Sequence, residues 1–137
     1  MTNTFTRIER LKSYTVIGQL FKGGQSFSCY PLRLVYIPIE VEKDAPPIQF
    51  ALSVPKKNFK RAHDRNLLRR RVREAYRLHK HELYAIMKDY EGKNYAFMVL
   101  YTAKEALPFV EIEAGVKKMI YKFKKEMAEK NKVTNVV

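Results

Sequence analysis

The stretch Arg65 to Tyr76 constrains the fold more than any other part of the chain. It places five arginines within nine residues, Arg65 to Arg73, yet keeps the apolar spacing of a helix that docks on a core. At about 100° per residue, Leu68, Val72, Ala75 and Tyr76 share one face. Arg69, Arg73, Arg77 and Arg70 sweep over the neighbouring face, and Arg65 marks the border. Any fold must bury one side of this helix and leave a cationic ridge beside it. From Arg65 to Lys80 the one acid is Glu74, set against Arg65, Arg69, Arg70, Arg71, Arg73, Arg77 and Lys80. The acids at i+4 that balance an ordinary solvated face are therefore missing. Guanidinium groups match phosphate oxygens bidentately, so the expected neighbour of this ridge is a polyphosphate backbone.

The rest of the chain agrees with that reading. Lys and Arg number 27 against 14 Asp and Glu, a net charge of +13, while 46% of residues are hydrophobic. A chain so apolar is no disordered tail, and a folded domain so basic meets nucleic acid first and an anionic membrane surface second. Its 137 residues make one domain over 1–137, with 1–10 and 131–137 expected to be flexible. No apolar run approaches the roughly 20 residues that cross a bilayer. The polar, basic stretch from Met1 to Lys12 lacks the apolar core of a secretory signal, so a cytoplasmic location is expected.

The single cysteine, Cys29, excludes an internal disulfide and a cysteine-built zinc site, and is expected to pack as a small apolar group. His79 and His81 stand two apart on a helix and point away from each other, so they do not chelate. His63 either meets phosphate near the helix start or has no role. There is no hydrolytic triad signature, P-loop or glycine-rich dinucleotide turn. Acids are too scattered for a two-metal nuclease site. No catalytic residue and no metal ligand is assigned.

Along the chain, Tyr14, Ile17, Leu20 and Phe21 set a first helix over Leu11 to Phe21, stopped by Gly23-Gly24. Phe27 to Val41 reads as a strand interrupted by Pro31 and Pro38, which favour an edge position or irregular ends. Glu42 to Pro47 is a turn, with a hairpin expected between the strands on either side. In Ile48 to Val54, Phe50, Leu52 and Val54 alternate with Gln49, Ala51 and Ser53, giving a buried and an open face. Pro55 to Arg61 is a loop in which Lys56, Lys57, Lys60 and Arg61 extend the basic surface. Asp64 is placed to cap the arginine helix, which runs to about Lys88 before Gly92. Tyr95 to Thr102 is apolar on both faces and so central. Pro108 suits the first turn of a last helix with the stripe Ile112, Val116, Met119, Ile120, Phe123 and Met127. The expected class is α+β: helices packed on a single small mixed β-sheet of about four strands, in the order α-β-β(-β)-α-β-α.

Asn66, in the first turn, suits either RNA contact or a local hydrogen bond at the helix start. The aromatics Tyr14, Phe21, Phe27, Tyr30 and Tyr36 fit either core positions or the stacking of splayed bases, with Phe21 the most exposed of them.

The run Val54-Pro55-Lys56-Lys57, followed by Arg61-Ala62-His63-Asp64-Arg65-Asn66, Arg69-Arg70 and Arg73-Glu74, resembles the protein subunit of bacterial ribonuclease P. That family carries an Arg-Asn-Arg helix after a Lys-Lys loop. The likeness spans roughly Leu11 to Lys125 and includes Phe21-Lys22-Gly23-Gly24 and Ala51-Leu52-Ser53-Val54. It implies a role in maturing the 5′ end of tRNA, with a catalytic RNA performing Mg2+-dependent hydrolysis. It implies a left-handed crossover in the fold. The implied partners are that RNA and precursor tRNA, with no membrane and no obligatory protein partner. By the resemblance, Arg65, Asn66, Arg69, Arg70 and Arg73 face the catalytic RNA. Phe21, Ile17, Ser53, Lys56, Lys57, Lys60 and Arg61 take the single-stranded 5′ leader. Three positions depart from the family pattern. Leu67 replaces the triplet's second arginine, a contact either missing or supplied by Arg71. Ile17 stands where an aromatic is common, and Tyr30-Pro31 where basic residues are frequent. The competing classes are a structural RNA-binding protein of the ribosome or its assembly, and a membrane-surface or acidic-protein module.

Overall fold

The computed structural model of the chain describes residues 22–40, 46–90 and 93–136, with side chains through residue 129. In chain order these form strands β1 (Gln25–Cys29), β2 (Leu32–Ile39) and β3 (Ile48–Ser53), then helix α1 (Ala62–Met87) with a 3-10 turn at Lys88–Tyr90. Strand β4 (Asn94–Tyr101) and helix α2 (Phe109–Val136) follow. The sheet order is β1-β2-β4-β3, antiparallel except for the parallel β3–β4 pair that α1 connects. The α+β class and the small mixed sheet expected from the sequence are both present. The expected first helix, with Ile17 and Phe21, lies outside the described residues.

The segment Phe27 to Val41 is two strands, not one. The chain reverses at Tyr30-Pro31, a cis bond, so that Cys29 pairs with Leu32 and Gln25 with Tyr36. Pro38 nevertheless sits in an interior strand. The carbonyl of Pro31 accepts the N–H of Thr102, 2.8 Å away on the β4 side. Backbone groups alternate along a strand, so even-numbered residues of β2 address β1. The missing N–H of Pro38 therefore points past Gln25, where β1 pairing has ended.

The hairpin expected around Glu42 to Pro47 does not form between β2 and β3, because β4 inserts between them. A strand buried on both faces is stable in the middle of a sheet. Here Tyr95, Phe97, Val99 and Tyr101 fill one face of β4 while Ala96 and Met98 are buried on the other.

Both helices cover the first of those faces. Leu68, Val72, Ala75 and Tyr76 of α1 and the whole predicted α2 stripe, Ile112 to Met127, meet Leu34, Tyr36, Ile48, Phe50 and Phe97 in the core. Phe50 stacks on Tyr76 with centroids 4.2 Å apart, and Phe123 meets Phe97 and Tyr36 edge-on at 4.9 and 5.1 Å. Arg71 bonds Leu107 just before α2, His79 pairs with Glu113, and Ile86 shares a groove with Tyr121. Those contacts rise in the same order along both helices, so α1 and α2 run parallel.

Two expected helix starts are corrected. Arg61, with extended backbone, is the N-cap of α1 and makes no side-chain capping bond; Asp64 lies inside the first turn. There its charge still complements the helix dipole. Pro108 precedes α2, and its carbonyl accepts the N–H groups of Glu111 and Ile112 at 3.1 and 3.3 Å. At its far end α2 is helical through Val136.

Candidate nucleic-acid interface

The arginine helix follows β3 after the loop 54–61, and its guanidinium groups have different fates. Arg65 turns back on the preceding loop: its Nη1 donates to the carbonyls of Phe59 at 2.7 Å and Lys60 at 2.9 Å. Arg69 donates to Asn66 Oδ1 at 2.9 Å, so the local hydrogen bond open to Asn66 is made. Arg71 points to the α2 side and donates to the carbonyl of Leu107 at 2.6 Å. It is thus tied into the β4–α2 loop. Arg77 forms an ion pair with Glu74, 2.6 Å apart. The shared hydrogen bond holds the Glu74 carboxyl below its ordinary value and the Arg77 guanidinium above its own. Arg70 and Arg73 are exposed.

Lys56, Lys57, Lys60 and Arg61 are all exposed in the loop before α1. Its apolar anchor is Phe59, 7% exposed, whose ring meets Tyr101 edge-on at 5.7 Å. This loop leaves the sheet beside Ser53. Strand register puts Ser53 next to Leu100, Leu100 next to Arg33, and Arg33 next to Ser28. That row runs across the sheet face that carries no described helix. Arg33 and Ser28 are exposed and Ser53 is half-buried, while Arg33 donates to Ser26 Oγ at 2.8 Å.

The centre of the same face is closed. Val35, Ala96 and Met98 are buried there, with Ile37, Ile39, Ala51 and Leu100 packed around them. The open face expected from the alternation in β3 therefore narrows to the band at the Ser53 end. Arg33 belongs to this band although the sequence reading did not select it. Its signal was the alternation Leu32, Leu34, Tyr36, which sends Arg33 to the opposite face.

Other sequence expectations sort cleanly. Tyr36 is core, its hydroxyl donating to the Glu126 carboxylate, and Cys29 is buried. Tyr30 is 66% exposed at the β1–β2 turn. His79 meets Glu113 at 2.9 Å between the helices, while His63 and His81 are exposed. Among the described residues, no three His, Cys, Asp or Glu side chains gather as a metal site. What the arrangement can do is bind: exposed cations and donors at one end of the sheet surround a shallow polar band.

A family model for ribonuclease P matches residues 5–124. The ribonuclease P protein component of Porphyromonas gingivalis is 37% identical over 116 residues, covering 84% of this chain and 82% of its own length. That of Chlorobaculum tepidum is 34% identical over 116 residues, with 80% and 75% covered. Among solved structures, the RNase P protein from Thermotoga maritima superposes with a TM-score of 0.61 at 19% identity, covering 81% of this chain and 94% of its own. The Staphylococcus aureus RNase P protein gives 0.59 at 19% identity, covering 84% and 94%. The two structures speak to the fold; the sequence matches speak to the family.

Proposed function

The chain belongs to the ribonuclease P protein family, and from that premise we propose that α1 docks on the catalytic RNA while the Ser53 end of the sheet holds the 5′ leader of precursor tRNA. Membership makes it the protein subunit of the endoribonuclease that matures tRNA 5′ ends, an enzyme whose chemistry is carried by RNA. The protein's work is then electrostatic and positional. A body of net charge +13 relieves the repulsion between two large RNAs, a task otherwise left to high cation concentration.

The observation that carries the site assignment is convergence at one sheet end. The exposed loop Lys56, Lys57, Lys60, Arg61 connects the band Ser28, Arg33, Ser53 to the helix that carries the exposed Arg70 and Arg73. Docked RNA and a leader strand would thus lie on either side of one basic loop. Asn66 and Arg69 present a joined pair to the RNA, and Arg65 holds the loop in place. Phe21 and Ile17 complete the leader contact on this reading. The reaction is metal-dependent RNA catalysis. We assign Mg2+ to the RNA and route no step through a protein-bound ion. The reading places the subunit in the cytoplasm, with 1–137 acting as one domain; no described helix is long and apolar enough to cross a membrane.

Cleavage of precursor tRNA by the catalytic RNA at low magnesium tests the role. Product with a mature 5′ end should form only when the protein is added. Lys56→Ala with Lys57→Ala should weaken binding of leader-bearing precursor several-fold more than that of mature tRNA. Equal losses for both would remove the leader assignment.

A further inference from the structure

We infer that the outer face of α2 is a second RNA-docking surface, in which Lys117, Lys118, Lys124 and Lys125 bind backbone phosphates of the catalytic RNA and Tyr121 stacks on an unpaired base. This rests on the ribonuclease P reading above and adds a contact to it. All four lysines are exposed, and Tyr121, between them on the same face, is 55% exposed. Lys125 Nζ lies 4.9 Å from the Tyr121 ring centre, a cation–π contact.

Within α2, acids do not neutralise this stripe. Glu113, four residues before Lys117, is paired with His79, and Glu126 accepts the Tyr36 hydroxyl. Glu129, four residues beyond Lys125, is exposed and forms no ion pair among the described residues. Lys122 is excluded from the stripe because it donates to the Ser28 carbonyl at 2.6 Å. Four like charges held together over about 12 Å of helix repel one another unless an anion lies against them.

Placement decides which RNA it is. Lys117, Tyr121 and Lys124 of the stripe line one wall of a groove of about 420 Å³ whose other wall is Glu82, Ala85, Ile86 and Asp89 of α1. Glu82 and Asp89 repel phosphate, so the strand follows the outer edge of α2 and not the groove. The level of the groove is about 24 Å along α1 from Arg69, too far for one phosphate cluster to serve both sites. The leader is assigned to the opposite sheet face, whereas the RNA docked on α1 occupies the same helical layer as α2.

The test is equilibrium binding of the catalytic RNA alone, without precursor, across a salt series. The fourfold Lys117, Lys118, Lys124, Lys125→Ala protein and a Tyr121→Ala protein are compared with Arg70→Ala. Circular dichroism melts confirm that each variant is folded. The fourfold variant should bind at least tenfold more weakly near physiological salt, with the log–log salt slope shallower by about three. Tyr121→Ala should lose several-fold at an unchanged slope. Unchanged affinity and slope in the fourfold variant, with Arg70→Ala weakened, overturns the second surface and leaves the first standing. Weakened precursor binding with intact binding of the catalytic RNA overturns the choice of partner. An Arg70→Ala protein that binds like the parent would instead remove the α1 ridge, a result independent of the lysine arm.

Discussion

At the residue scale, arginines that look equivalent in the sequence have different partners. Arg65 and Arg71 satisfy backbone carbonyls at Phe59, Lys60 and Leu107, and a charged donor on a buried or half-buried carbonyl is stronger than a neutral one. Arg70 has no hydrogen-bond or ionic partner among the described residues. Arg65→Ala should therefore lower stability by about 1–2 kcal/mol, whereas Arg70→Ala should stay within about 0.5 kcal/mol of the parent. Urea unfolding of the two proteins measures this directly. Equal stability of the two would show that the Arg65 bonds contribute nothing net. The anchoring role was illegible in the sequence, since nothing local to Arg65 shows where a loop's unpaired carbonyls will fall.

At the element scale, α2 lies unusually close to the β1–β2 turn. A Cβ added at Gly115 would sit 2.8 Å from Pro31 Cδ and 3.3 Å from the Tyr30 carbonyl oxygen. Neither a proline ring nor a backbone oxygen can swing aside. Alanine there would gain about 1 kcal/mol of helix propensity, but overpacking costs about 1–3 kcal/mol. Gly115→Ala should lower the thermal midpoint by a few degrees, and a raised midpoint would contradict the close approach. Glycine in the middle of an apolar helical stripe was visible in the sequence; the turn that requires it was not. The opposite case is β4, whose central position followed directly from an apolar run on both faces.

For the whole molecule, the core holds several acidic groups in their neutral forms. Burial pushes the Cys29 thiol from 9.0 up to about 11. It also raises the phenols of Tyr36, Tyr95 and Tyr101 above their ordinary 10.0, with the Glu126 hydrogen bond adding to the shift at Tyr36. Unfolded, these groups ionise at their ordinary values. Above about pH 9 the unfolded chain therefore binds fewer protons than the folded one, and stability falls as pH rises. Below that pH the contribution is fully present. Urea midpoints should be insensitive to these groups between pH 7 and 9 and should fall from pH 9 to 11. A midpoint that holds through pH 11 would mean that the core tolerates the charged forms. The +13 body adds the expectation that RNA affinity falls steeply with salt.

The sequence by itself determined which faces of each element are apolar. Leu68 to Tyr76, Ile112 to Met127 and the strand from Tyr95 all bury as their spacing requires, because periodicity is a local property of helix and strand geometry. It also determined the cationic ridge and, through the motif from Val54 to Glu74, the family. Tertiary structure alone decided that β4 separates β2 from β3, that the face bearing Ser53 is open only at one end, and that Arg65 and Arg71 are bound by carbonyls. These are matters of which distant segments become neighbours. Strand adjacency and carbonyl partners depend on the packing of the whole chain, and no pattern within a few residues encodes them.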